Sequence, residues 1–174
     1  FVDPDAVGYA HVNCVYVEYG ANWSNISENK FFESGAASVS LLNCPHVNVS
    51  NNQIANAGRL GSVANGVCAG VRVASDSASF NQTLSVNIIV SGNIFVGCRA
   101  EAVYAASTSN VEISNNLISQ PSNAVASFVY SAIALFSCAE AKVLNNSVSA
   151  YNTTNACFCF NTWDVSITNC RHIQ

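Results

Sequence analysis

Glu140 and Asp164 are the two residues whose type and spacing most directly suggest chemistry. Each precedes a short alternating stretch, Ala-Lys-Val after Glu140 and Val-Ser-Ile after Asp164, so both occupy the same place in a repeated segment. Equivalent residues of the other repeats complete a predicted outward column, and they are Trp23, His46 and Asn110. If neighbouring repeats stack about 4.8 Å apart, the two carboxylates lie almost side by side. Glycoside hydrolysis needs such a pair, one carboxyl group as acid and the other as base or nucleophile. The alternative is that both are solvated surface residues and that Lys142 neutralises the cluster.

Glu18 is a further candidate acid. Alternation along its segment turns it inward among apolar positions. A carboxyl group in an apolar setting has a raised pKa and can serve as a general acid. The alternative is that the first repeat is a distorted end, as terminal repeats commonly are, and that Glu18 has no catalytic role.

Aromatic side chains supply the other candidate functional residues. Trp23, Tyr104 and Trp163 are predicted to contact sugar, because their rings offer flat apolar surface with a polar edge. Tyr104 also belongs to an outward-facing row on the first strand of each repeat. We name this row the apolar stripe, and it comprises Tyr19, Leu42, Tyr104, Phe136, Phe158 and Phe160. An exposed stripe of this length predicts a subunit contact or a sugar platform. The alternatives are that a loop of the chain covers it or that inward and outward faces are reversed.

A repeat positions all of these residues. An apolar residue is followed three places later by an anchor residue, at Asn29, Asn52, Asn93, Asn116, Asn146 and finally Cys170. The steps between these anchors are 23, 41, 23, 30 and 24 residues, which sets a unit of about 23 residues. The step of 41 predicts a loop insertion near 74–85, and the step of 30 absorbs Gln120 to Ser127. Self-similarity at such a period indicates stacked supersecondary units.

Each unit contains three short strands joined by corners. Because corners and not hairpins connect them, strands of successive units must pair in parallel. The sequence therefore predicts an all-β fold, a right-handed single-stranded parallel β-helix of about six coils with three strands each. Residues 1–174 form one domain, with an irregular or terminal coil at 1–15 and the coils at 16–174. The anchor Asn is expected to adopt positive φ, which Asn tolerates better than other non-glycine residues. Stacked Asn side chains are also expected to hydrogen-bond to one another along the helix axis.

The repeated turns resemble those of the right-handed parallel β-helix superfamily, the pectate-lyase-like group that includes phage tailspikes and appendages. Val49-Ser-Asn-Asn-Gln-Ile54 and Ile113-Ser-Asn-Asn-Leu-Ile118 carry the resemblance, which extends from about Tyr16 to Cys170. It implies the fold and says little about the reaction. The catalytic signatures of polygalacturonases and pectate lyases are not recognisable in this sequence.

Composition excludes several classes of partner. A net charge of -4 leaves no basic field for a phosphate backbone, so nucleic acid is not expected as a partner. Apolar runs are too short to span a bilayer, so membrane insertion is not expected. The eight cysteines are interpreted as free buried thiols in preference to disulfides, with Cys44 and Cys138 in one packing column. Without Cys-x-x-Cys pairs or clustered His residues, no metal or other cofactor is expected.

The function predicted from these features is recognition of host cell-surface polysaccharide, with depolymerisation as a further expectation. The chain would be a segment of a viral, phage tailspike-like or appendage protein, homotrimeric and located in the virion or extracellularly. The absence of Met and the start at Phe1 favour a segment of a longer protein. One alternative is a secreted polysaccharide lyase or hydrolase, and another is a purely structural rod without binding activity. If the protein is an enzyme, it is expected to be a glycoside hydrolase or polysaccharide lyase.

Overall fold

The computed structural model describes residues 13–18, 22–59, 68–75, 85–119, 131–149 and 155–173. These residues form eighteen short strands and contain no helix. Sheet 1 comprises β1 (Val15–Glu18), β4 (Val39–Leu42), β7 (Val71–Ala74), β10 (Val103–Ala106), β13 (Ser131–Phe136) and β16 (Asn155–Phe160). Sheet 2 comprises β2 (Ser24–Ser27), β5 (Val47–Ser50), β8 (Val86–Ser91), β11 (Ser109–Ser114), β14 (Lys142–Leu144) and β17 (Ser166–Thr168). Sheet 3 comprises β3 (Lys30–Phe32), β6 (Gln53–Ala55), β9 (Ile94–Val96), β12 (Leu117–Ser119), β15 (Ser147–Ser149) and β18 (Arg171–Ile173).

Every strand pairs in parallel with its counterpart in the next coil. Val39 pairs with Val71, for example, and Val71 with Val103. Consecutive strands of the chain always belong to different sheets, so that one circuit through the three sheets makes one coil. The predicted fold class, a parallel β-helix of six coils with three strands each, is confirmed. Among the described residues no helix is long and apolar enough to cross a membrane.

The core lies inside the coils, because alternate residues of each strand point inward. Leu41, Ile54, Phe95 and Leu135 are among the largest fully buried side chains. Burial of this continuous apolar column supplies the main stabilisation of stacked coils, since one coil alone cannot enclose its own apolar residues.

The anchor asparagines form a buried ladder inside the turn between sheets 2 and 3. Asn93 Oδ1 accepts hydrogen bonds from the main-chain N–H of Asn52 at 2.9 Å and from its Nδ2 at 3.0 Å. Asn116 Oδ1 accepts the equivalent pair from Asn93, and Asn146 Oδ1 the pair from Asn116. The expectation that these residues adopt positive φ was wrong. The left-handed residue is the one before each anchor, such as Asn51 at 56° or Gly92 at 65°.

The third coil is longer than the repeat unit of about 23 residues, and its additional residues lie in two places. One stretch lies between the end of β6 and the start of β7, and the other lies between β7 and β8. Only the second was predicted, near 74–85. Sequence spacing gives the total length of an insertion between two anchors, but it does not show how that length is divided among corners. Residues 120–130, which follow β12, lie outside the described residues. So do residues 60–67 and 76–84, which make up most of the two stretches in the third coil.

All eight cysteines are free thiols in this structure, as interpreted, but the expectation that they are buried was wrong for Cys14 and Cys159, which are exposed. Cys44 and Cys138 are fully buried, and the Thr108 hydroxyl donates to Cys138 Sγ at 3.4 Å. The column of Cys and Thr is therefore a packing column of small side chains, as the sequence predicted.

Candidate functional site

Six residues at the corner leading into sheet 2 form an outward-facing row along the helix, which we name the corner column. All six have φ between 51° and 59°, and they are Trp23, His46, Asn87, Asn110, Glu140 and Asp164. Five of them were predicted to share an outward column. Asn87, the member from the third coil, was missed because the additional residues of that coil obscured its alignment. Left-handed residues also occupy the other corners, so this backbone conformation is a feature of the fold and does not by itself mark a site.

Side chains of the first four coils contact one another along this column. The Trp23 and His46 rings stack with centroids 4.3 Å apart and planes 3° from parallel. Trp23 is nevertheless 79% exposed, so most of the indole surface faces solvent. His46 Nδ1 lies 3.1 Å from Asn87 Nδ2, and Asn110 Nδ2 donates to Asn87 Oδ1. The result is an aromatic platform continued by a row of amides.

Glu140 and Asp164 occupy neighbouring coils at the other end of the column, and both are exposed. The main-chain N–H of Glu140 donates to the carbonyl of Trp163 at 3.2 Å. Trp163, one residue before Asp164, is 54% exposed and pairs with Ala139. The structure thus brings these three predicted site residues together. Trp23 lies four coil steps from Glu140, about 19 Å away.

A second outward row runs along sheet 2 beside the corner column. Its members in coil order are Asn25, Asn48, Ile89, Glu112, Lys142 and Ser166. Glu112 pairs with Lys142 on the neighbouring strand, and the Ser114 hydroxyl donates to Glu112 Oε1 at 2.8 Å. The surface is accordingly rich in amides over the first coils and charged over the last coils.

The prediction that Glu18 points into the core was wrong. Glu18 pairs with Leu42 on the outer face of sheet 1 and is exposed, while Val17 pairs with Leu41 and packs against the core. The sequence alignment had placed Val17 on the outer face. A register error of one residue moves every side chain of a strand to the opposite face. Glu18 therefore lacks the apolar environment that its proposed role as an acid required.

The burial of the apolar stripe differs from residue to residue. Tyr104 is only 7% exposed and packs with Ala69 and Ala134 in a small apolar layer outside sheet 1. Phe136 contacts Tyr104 and also Phe158 and Phe160, with ring centroids 5.3 to 6.2 Å apart. Phe160, at the last coil, is 60% exposed. The other described members, Leu42, Phe136 and Phe158, are half-buried, and Tyr19 lies outside the described residues. The stripe is thus closed to solvent at Tyr104 and open at Phe160.

Glu101 is a chemically distinctive residue that sequence reasoning missed. It lies in the corner before β10, is 3% exposed, and its Oε2 has no hydrogen-bond partner among the described residues. Burial raises the pKa of its carboxyl group from 4.5 to about 7. Its charge also contributes to the raised pKa of Tyr104, whose larger cause is burial. No signal in the sequence pointed to it, because the alternation that predicts burial applies to strands and not to corners.

Comparison with known proteins supports the fold. No family model and no curated protein matches the sequence. A solved structure from Parabacteroides merdae ATCC 43184, described provisionally as a glycosyl hydrolase, is similar with a TM-score of 0.62 and 9% identity. The alignment covers 90% of this chain and 80% of that chain. The A-module of the Azotobacter vinelandii mannuronan C-5 epimerase AlgE4 aligns with a TM-score of 0.46 and 12% identity, over 90% of this chain and 57% of that chain. At such identities the likeness establishes the β-helix fold alone.

Proposed function

We propose that this chain is a polysaccharide-recognition β-helix in which a glycan lies along the corner column. The observation that carries this proposal is the exposed Trp23 ring, stacked on His46 and continued by Asn87 and Asn110. Aromatic rings bind the apolar faces of sugars, while amides bind their hydroxyl groups. We further propose that the parent protein is a tailspike-like or appendage protein of a virion or the extracellular space.

The length of the column suits a polymer. Five coil steps separate Trp23 from Asp164, which corresponds to about 24 Å along the helix axis. All members face outward from one corner, so a linear chain could contact them in series. The polysaccharide class also agrees with the description of the P. merdae protein, which we extend to this chain only as part of the proposal.

Glycan binding is tested by replacing the aromatic platform. We expect Trp23→Ala to weaken retardation of the protein in affinity electrophoresis through immobilised polysaccharides by about tenfold, because stacking on a sugar ring contributes roughly 1 to 2 kcal/mol. Phe32→Ala is the matched control, since Phe32 is an exposed aromatic residue on sheet 3, away from the column. Equal effects of the two substitutions would contradict binding at the corner column.

A second candidate function is cleavage of the bound glycan by Glu140 and Asp164. It is favoured by the position of both carboxylates on neighbouring coils at the end of the same column, beside Trp163. Tyr104, which was predicted to contact sugar, is buried and has no place in this proposal. We expect Asp164→Asn to abolish release of reducing ends from a bound polysaccharide while binding is retained. Undiminished release would remove Asp164 from any catalytic role.

We propose in addition that three chains associate through the exposed end of the apolar stripe, where Phe160 extends beyond the covered part of sheet 1. This is the portion of the stripe still open to a subunit contact. Tyr104 and Ala134 are buried and cannot supply one.

A further inference from the structure

We infer that the corner column selects uncharged polysaccharides, with hydroxyl or N-acetyl substituents, and disfavours polyuronates. This inference rests on the proposed function and assigns a substrate class to the same surface. It follows from the charge and hydrogen-bonding state of the column's two halves.

The members from the first four coils carry no carboxylate, ammonium or guanidinium group. They are the Trp23 indole, the His46 imidazole stacked on it, and the amides of Asn87 and Asn110. Amide donors and acceptors match sugar hydroxyl and acetamido groups. A uronate carboxylate lying here would lose hydration without meeting a lysine or arginine of the column to replace it.

The half formed by the last two coils is acidic. Glu140 and Asp164 belong to the column, and Lys142 lies on the adjacent row beside Glu112 of the fourth coil. With Glu112, which borders this half, three carboxylates against one ammonium group give a formal charge of about -2 for this end of the surface. A polyuronate that followed the column would place its carboxylates against this charge at the spacing of neighbouring coils, where like charges repel. A neutral polymer meets no such penalty.

The test compares polymers of similar length that differ in charge. The probes are a neutral galactomannan, N-acetylated chitin oligosaccharides and polygalacturonate, each measured by isothermal titration with the wild type, Trp23→Ala and the double variant Glu140→Gln/Asp164→Asn. We expect a neutral or N-acetylated probe to bind at least tenfold more tightly than polygalacturonate and to lose that affinity in Trp23→Ala. The double variant should bind polygalacturonate at least tenfold more tightly than the wild type does.

The outcomes separate the two claims. Polygalacturonate binding that equals the neutral probes and depends on Trp23 would overturn the charge selection and leave the proposed function intact. Absence of binding by every probe, or binding that Trp23→Ala does not change, would count against the proposed function itself. Thermal unfolding of each variant, with Phe32→Ala alongside, shows whether lost binding reflects lost folding.

Discussion

Glu101 places an ionisable carboxyl group in surroundings that disfavour its charge. Its carboxyl group is buried, and one oxygen lacks a partner among the described residues. Desolvation penalises the charged form, which is why the pKa rises to about 7. The folded protein therefore retains a proton on this residue under mildly acidic conditions.

This proton makes stability depend on pH. The pKa of Glu101 is raised on folding, from 4.5 to about 7, so between these values the folded chain binds a proton that the unfolded chain has released. Stability consequently falls as the pH rises from about 4.5 to about 7 and changes no further above that range. The shift corresponds to roughly 3 kcal/mol. We expect Glu101→Gln to remove this dependence, as measured by urea unfolding across the range.

A matched substitution isolates the effect. Glu28→Gln changes an exposed carboxylate at a corner and is expected to leave the pH dependence of unfolding as in the wild type. Identical pH profiles for Glu101→Gln and the wild type would show that Glu101 is not the residue responsible.

At the scale of the elements, two consecutive residues have different structural roles in each turn between sheets 2 and 3. Asn115 has φ of 56° and is exposed, so it makes the turn. Asn116 is buried and links the coils before and after it through its side chain. Both residues are Asn, but only the role of Asn116 depends on its side-chain amide.

Substitutions at Asn115 and Asn116 should therefore differ in their effect on stability. Asn116→Ala removes the acceptor for two donors of Asn93 and the side-chain donor to Asn146 Oδ1 and to the Val90 carbonyl, so we expect a loss of roughly 3 kcal/mol or more. The main-chain N–H of residue 116 still donates to Asn146 Oδ1. Asn115→Gly should change stability by about 1 kcal/mol or less, because glycine adopts positive φ without strain. Denaturant midpoints measure both. Comparable losses at the two positions would contradict the division of roles.

At the scale of the whole molecule, the proposed assembly depends on how little of the apolar stripe remains open. Phe160 is exposed at the last coil, whereas Tyr104 is buried near the middle of sheet 1. Association through this face would therefore join chains at one end of the β-helix and leave the corner column accessible along its length.

Chain mass in solution tests this assembly. We expect light scattering to give three times the chain mass of 18.3 kDa for the wild type. Phe160→Ser should reduce the mass to that of one chain, since it removes the exposed aromatic ring from the contact. Leu117→Ser, which changes an exposed apolar residue on sheet 3, is the control and should leave the mass unchanged. A wild-type mass of one chain at high protein concentration would contradict the trimer.

The sequence by itself determined the coil, the number of coils, the Asn ladder and five of the six members of the corner column. These features depend on short-range alternation and on a spacing that recurs in every coil, so each repeat confirms the others. When copies of one pattern stack in parallel register, equivalent residues become neighbours. The sequence alone could therefore place Glu140 beside Asp164.

Tertiary structure alone decided which residues are open to solvent and which are not. Tyr104 lies on an outer face and Glu101 in a corner, and both are buried. No periodicity reports whether a face or a corner is covered. The orientation of Glu18 depended on a single residue of register in the first coil, where one extra position reverses inward and outward. Local sequence thus specified which residues are neighbours along the helix, whereas the burial of outer faces and corners, and with it the ionisation of Glu101, depends on the packing of the folded chain.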